Sequence, residues 1–274
     1  LLRGTGVRYA EDQADKVELF FDEKMLEAPL RWRKPKRIFV CSMTDLFHER
    51  ISDAMIADVF NIMASATLSC GKRHEHEDGC WEGDKHTFLV LTKRPARALD
   101  SIRRDIGGAT FDWPGDQPLE SALELGPPFW PLPNVWLGVS VANQEDADRD
   151  IPILLQTPAA VRFVSYEPAL GPVDFSAFLK SRSFAGAQDD RRTVNWLIIG
   201  GESGPKARSF DLAWARSAIA QCKEAGVPAF MKQLGSNPIQ TINGAVPMHY
   251  LFRDRKGGDM SEWPEDLRVR EWPK

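Results

Sequence analysis

The chain has 274 residues, with 35 Lys and Arg against 39 Asp and Glu and a net charge of −4. That length suits one barrel-sized α/β domain, and the mildly acidic balance excludes a global nucleic-acid-binding signature. No run of about 18 apolar residues and no signal-like segment occurs, so a soluble cytoplasmic protein with no membrane partner is expected.

The opening LLRGTGVRYAEDQADKVELFF has no strand-like run and begins with Leu, so an amino-terminal piece is expected to be missing. A basic cluster, RWRKPKR at Arg31–Arg37, leads into the first of six short apolar runs. These are RIFVCSMTD from Arg37, TFLVLTKR from Thr87, VWLGVSVAN from Val135, VRFVSYEP from Val161, NWLIIGGESG from Asn195 and PAFMKQLG from Pro228. Each is rich in β-branched or aromatic residues and ends in polar ones, the pattern of strands buried on both faces of a parallel sheet. Helical stretches separate most of them. After the first run, Ile51, Met55, Ile56, Val59, Phe60 and Met63 form an i, i+3, i+4 stripe with Ser52 as its cap. ARALDSIRRDI follows the second run, a helix from about Gln144 to Leu155 follows the third, and the helix of the fifth unit stops at Gly226.

Sequential βα units pack side by side with one hand, so the six runs are expected to be parallel neighbours in chain order. The expected organisation is a single partial (β/α) barrel domain over residues 1–252. A polar insert at 69–86, a Pro-, Gly- and Trp-rich surface loop from Gly107 to Pro133 and an exposed insertion at 178–194 interrupt it. Residues 253–274 read as a charged tail.

In such sheets ligands bind beyond the carboxyl ends of the strands. There, Lys93 and Arg94 could hold a phosphate, carboxylate or nucleotide, or could pair structurally with Asp45 or Glu167. Glu167, held between Tyr166 and Pro168, is the stronger candidate, with Ser165 adding a hydroxyl. In IIGGESG, Gly200, Gly201 and Gly204 would let backbone N–H groups approach an anion, and Glu202 could accept from a ribose or an amine; a simple turn is the alternative. Asp45 and His48 suggest either acid–base work or helix capping. The insert spaces Cys70, His74, His76 and Cys80 as C-x3-H-x-H-x3-C, a donor set that suits tetrahedral zinc; an exposed charged loop is the alternative. The remaining cysteines, Cys41 and Cys222, are isolated, and all four are expected to be reduced.

Four stretches together carry a family resemblance: PLRWRKPKRIFVCSMTDLFHE, HTFLVLTKRP, PNVWLGVSVANQEDADRDIPILLQTPAAVRFVSYEPALGPVD and WLIIGGESGPKARSFDLAWARSAIAQCKEAGVPAFMKQLG. The chain resembles a phage-associated protein family of poorly defined function related to the radical S-adenosylmethionine enzymes. The resemblance implies a partial TIM-type barrel, with an amino-terminal three-cysteine segment that binds an iron–sulfur cluster and S-adenosylmethionine as cofactor. This sequence has no such trio, so its first βα unit, roughly 30 residues, is expected to be absent and cluster competence with it. By analogy with the barrel, Ser42, Lys93, Ser140, Glu167, Glu202 and Lys232 would line the cavity. The substrate would be a small molecule, in one version derived from nucleic acid, and a protein partner could supply missing chemistry. The competing expectation is a non-catalytic nucleotide- or protein-binding barrel module. No convincing carboxylate pair supports a hydrolase.

Overall fold

The structure, a computed structural model, describes residues 22–32, 34–41, 44–68, 86–106, 131–179, 193–241 and 247–273. Its centre is a sheet of six strands, β1 (Arg37–Val40), β2 (Thr87–Thr92), β3 (Val135–Val141), β4 (Val161–Tyr166), β5 (Trp196–Gly200) and β7 (Ala229–Gln233). They lie in the order β1-β2-β3-β4-β5-β7, and every neighbouring pair is parallel. The six apolar runs are therefore parallel neighbours in chain order, as their pattern predicts. Burial follows position in the sheet: all five residues of β5 are buried, whereas the edge strand β1 alternates exposed and half-buried.

The helices begin and end where their capping chemistry dictates. In α2 (Asp53–Leu68), the Met55 N–H donates to Ser52 Oγ at 3.2 Å, and Ile56, Val59, Phe60 and Met63 turn into the core. Asn143 caps α4 (Gln144–Gln156) by accepting from the Asp146 N–H at 2.9 Å. Asp211 caps α6 (Leu212–Ala225), which Gly226 ends at φ 71°, a left-handed conformation that glycine adopts without steric cost. The single helix expected over ARALDSIRRDI is instead α3 (Pro95–Ser101) continued by a π-helical turn, Ile102–Ile106. Two short helices, α1 (Glu23–Leu26) and α5 (Ser176–Leu179), complete the set. No helix among the described residues is long and apolar enough to cross a membrane.

Residues alternate between the faces of the sheet. Leu137, Val139, Val164, Tyr166, Leu197 and Ile199 face the helices in the main core. Leu89, Phe163, Trp196 and Ile198 form a second cluster on the opposite face, with Trp136, Phe230 and Trp272 packed against it. The sheet curls around this cluster into a half-barrel. The Trp272 ring lies 6.5 Å from Trp136 on β3, 4.6 Å from Trp196 on β5 and 5.2 Å from Phe230 on β7. The Arg37 guanidinium on β1 sits 3.9 Å from the same ring, so one side chain reaches four strands, which a flat sheet does not allow. At Gly138 an added Cβ would lie 2.4 Å from the Phe163 ring, so the concave face closes there only because β3 has no side chain.

Trp272 belongs to the segment that reads in sequence as a charged tail. From Arg253 to Pro273 that segment packs back onto the barrel: Trp263 and Leu267 are buried in the main core. Its backbone also covers the outer edge of β7, where Val269 O accepts from Met231 N at 2.8 Å and Glu271 N donates to Ala229 O at 2.9 Å. A second small sheet joins β6 (Phe210–Asp211), β8 (Pro238–Gln240) and β9 (Met248–His249), parallel in its first pair and antiparallel in its second. Of the polar insert, only His86 is described: it is buried, its Nδ1 accepting from the Lys36 N–H at 3.1 Å. Leu179 and Val194, at the ends of the stretch expected to be exposed, are buried as well.

Candidate functional site at the strand carboxyl ends

The concave face changes character along the strands. Its lower half is the aromatic cluster, and beyond it the period of two places Lys93, Ser140, the buried Ser165, Glu167, Gly200 and Lys232 on the inward side. Five adjacent strands thus carry a polar row at their carboxyl ends, each member of which the sequence had singled out, Gly200 for its backbone rather than for its place beside Glu167. Ser42 lies outside the described residues.

Glu167 and Lys232 meet at 2.8 Å between Oε2 and Nζ. They belong to β4 and β7, which flank β5, so their backbones are about 10 Å apart and the contact spans the intervening strand. Two features of the backbone permit this. Ile199 pairs with Met231 but Gly200 pairs with Gln233, so Lys232 is the extra residue of a β-bulge, a device that re-aims a side chain. Gly200 leaves the space above β5 open: a Cβ there would sit 3.1 to 3.2 Å from the side-chain carbons of Glu167. Glu167 is 17 % exposed and Lys232 53 %, so the pair has one sheltered partner and one at the mouth. Ser140 Oγ donates to the Glu167 carbonyl at 3.2 Å, fixing the turn at its base; the Glu167–Pro168 peptide is cis.

The glycine-rich loop has a different role from the one its composition suggests. Gly201 N donates to Gln233 O at 3.0 Å and Gly204 N to Ser236 Oγ at 2.9 Å, so both N–H groups are used inside the protein. A Cβ on Gly201 would lie 2.5 Å from the Leu234 carbonyl, and one on Gly235 would lie 2.6 Å from that of Glu202. These glycines let two backbone segments touch. Glu202 accepts from the Arg208 backbone N–H at 2.9 Å and its Nε at 2.8 Å, which folds the loop back on itself and holds the carboxyl below its usual range.

Thr92, Arg94 and Asp45 form a structural knot rather than an open anion site. Asp45 accepts from Thr92 Oγ1 at 2.8 Å, the Lys93 N–H at 2.9 Å, the Phe47 N–H at 3.0 Å and Arg94 Nη1 at 3.3 Å. Arg94 Nε also donates to Glu49 at 2.8 Å, and this hydrogen bond lowers the Glu49 carboxyl to about 2. His48 Nδ1 accepts from the Arg50 N–H at 3.2 Å, and Ser52 caps α2, so Asp45 and His48 make neither a dyad nor a cap. In contrast, the Lys93 ammonium makes no ion pair with any described residue.

An open cleft of about 370 Å³ adjoins this row, lined by Lys93, Ser140, Asp146, Arg149, Pro168 and Arg208 among others. Sequence reasoning misses Arg149 and Arg208. Arg149 is one charge within QEDADRD and carries no local signal. Arg208 could have been found as the cation six residues after Glu202, across a Gly-Pro turn.

Cys70, His74, His76 and Cys80 lie outside the described residues. Among the described residues no group of three or more His, Cys, Asp or Glu could hold a metal ion. The described thiols are Cys41 and Cys222. Cys41 is half-buried at the end of β1 with φ 53°, its thiol pushed up chiefly by burial; Cys222 is buried inside α6, where burial pushes it up to about 12.

These observations define a parallel α/β half-barrel with a polar row at the carboxyl ends of its strands. The chain belongs to a family of proteins of unknown function (DUF5131), whose family model matches residues 3–259. No curated protein and no solved structure matches the chain significantly.

Proposed function

We propose that this chain is a half-barrel of the radical S-adenosylmethionine type, of phage or prophage origin. On this reading it holds a small ligand bearing an amine and a carboxylate, S-adenosylmethionine foremost, at the carboxyl ends of its strands. The observation that carries the proposal is the Glu167–Lys232 pair across Gly200. A free amino-acid group offers the complementary charges: its ammonium would replace Lys232 on the sheltered Glu167, and its carboxylate would take the released lysine. The pair itself is partly exposed and contributes at most about 1 kcal/mol to stability, so exchanging it for ligand contacts costs little.

An iron–sulfur cluster of the radical type needs three thiolates close in space. The described thiols do not fit: Cys222 is sealed inside α6, and Cys41 has no second thiol beside it among the described residues. What the residues of the row can do is bind the ligand, orient it against the strand ends and shield its reacting part from water. None of Lys93, Ser140, Glu167, Gly200 and Lys232 is itself a redox group, which supports a second reading, a non-catalytic binding module that uses the same row with no redox step.

Isothermal titration with S-adenosylmethionine tests the first point. Wild type should bind, and Glu167→Gln and Lys232→Met should each weaken binding about tenfold or more. Unchanged affinity in both variants would sink the proposal. Anaerobic reconstitution with iron and sulfide, followed by assay for 5′-deoxyadenosine, separates the two readings. Product formation means an enzyme; binding without product means a module.

A further inference from the structure

We infer that the cleft beside the Glu167–Lys232 pair is a separate subsite for an organic phosphate of mononucleotide size, held by Lys93, Arg208 and Arg149. The inference rests on the reading that the strand-end face is the ligand face; it shares Lys93 with the polar row but does not use the Glu167–Lys232 pair. Three cationic side chains converge there from three separate connections, those following β2, β3 and β5. Two are held in place by carboxylates, of which Asp146 and Asp150 line the cleft beside Arg149. Arg208 gives Nε and Nη2 to Glu202, and Arg149 gives Nε and Nη2 to Asp150, with Nη2 also reaching Asp146. In both, Nη1 makes no hydrogen bond to a described residue, so each guanidinium keeps an uncommitted donor edge. Lys93 adds an ammonium with no described carboxylate partner.

The carboxylates do not turn the cleft into a cation site, because their oxygens are already engaged. Asp146 also accepts from the Ala142 N–H at 3.1 Å, and Glu202 from the Arg208 N–H at 2.9 Å. Donor edges from two carboxylate-held guanidiniums beside the exposed Lys93 ammonium match the oxygens of a phosphate monoester. Pro168 and Leu170 supply an apolar wall for the body of the ligand. A volume of about 370 Å³ lies near the lower limit of small-molecule sites and suits a ligand of mononucleotide size.

Titration of the whole chain with AMP, adenosine and inorganic phosphate tests this. AMP should bind, adenosine should bind about tenfold more weakly or not at all, and inorganic phosphate should compete with AMP. Lys93→Met should weaken AMP about tenfold, and because its ammonium holds nothing else described, its circular dichroism spectrum and urea midpoint should match wild type. Arg208→Met should weaken AMP likewise, whereas Glu167→Gln and Lys232→Met should leave AMP affinity within about twofold. Equal binding of AMP and adenosine, no binding of AMP, or full AMP affinity in Lys93→Met would overturn the inference. So would a loss in Glu167→Gln as large as in Lys93→Met. In each case the S-adenosylmethionine titration stands or falls on its own result.

Discussion

Replacing Gly200 by Ala tests whether the open space above β5 serves the ligand row or merely the packing. The added Cβ would meet the Glu167 Cδ at 3.1 Å, a few tenths of an ångström inside ordinary contact. Glu167 supplies the three atoms nearest to that Cβ and is partly exposed, so it can swing aside, but only by leaving Lys232 at the far side of the strand. Stability should change little. The lost pair costs at most about 1 kcal/mol, and removing a glycine from a strand returns about 0.5–1 kcal/mol. Urea denaturation should therefore give an unfolding free energy within about 0.5 kcal/mol of wild type, while S-adenosylmethionine affinity falls about tenfold or more. The same substitution at Gly138 should do the reverse. There the Cβ would meet the buried Phe163 ring at 2.4 Å, and the overpacked core should lose about 1–3 kcal/mol. If Gly200→Ala keeps full affinity with Glu167 displaced, or if it destabilises by more than about 2 kcal/mol, the account of Gly200 as an opening for the pair is wrong.

Further outcomes follow from the same contacts. Trp272→Ala removes a ring that touches four strands; since it is only half-buried, a loss of about 2–3 kcal/mol is expected, and an unchanged urea midpoint would show that the carboxy-terminal segment does not brace the half-barrel. Arg208 holds the Glu202 carboxyl below its unfolded value, so the stability it contributes is present above the ordinary carboxylate range and is lost as pH falls through the folded value. An acid titration of stability should accordingly be shallower below about pH 4 in Glu202→Gln, and superimposable curves would contradict the linkage. Burial should protect Cys222 from iodoacetamide at pH 8 in the native protein, and rapid labelling there would contradict its place in α6. If Cys70, His74, His76 and Cys80 close a zinc site, elemental analysis should give about one zinc per chain, and free alkylation of Cys70 and Cys80 in the native state would leave only an exposed loop.

The parallel half-barrel was legible in the sequence because its signals are local. A strand buried on both faces must be apolar throughout, and Ser52 and Gly226 sit where helix ends need them, so six runs and the helices between them could be placed by pattern alone. Lys93, Ser140, Glu167, Gly200 and Lys232 could be named because strand ends in such sheets face the ligand side. Which of them act together could not, since Glu167 and Lys232 are 65 residues apart and meet only through a bulge and a missing side chain on the strand between them. The Arg94–Asp45 pair was one of two alternatives the sequence left open, and the pairing of Glu202 with Arg208 was hidden altogether, because a charged residue looks the same in sequence whether its partner is a ligand or a neighbouring loop. The segment after Gln233 shows no period, since its strands are two or three residues long and its core residues, Trp263, Leu267 and Trp272, dock singly. Periodicity arises only when successive turns of one element face the same neighbour. A side chain that enters the barrel alone leaves no pattern, and the tertiary structure alone decides where it goes.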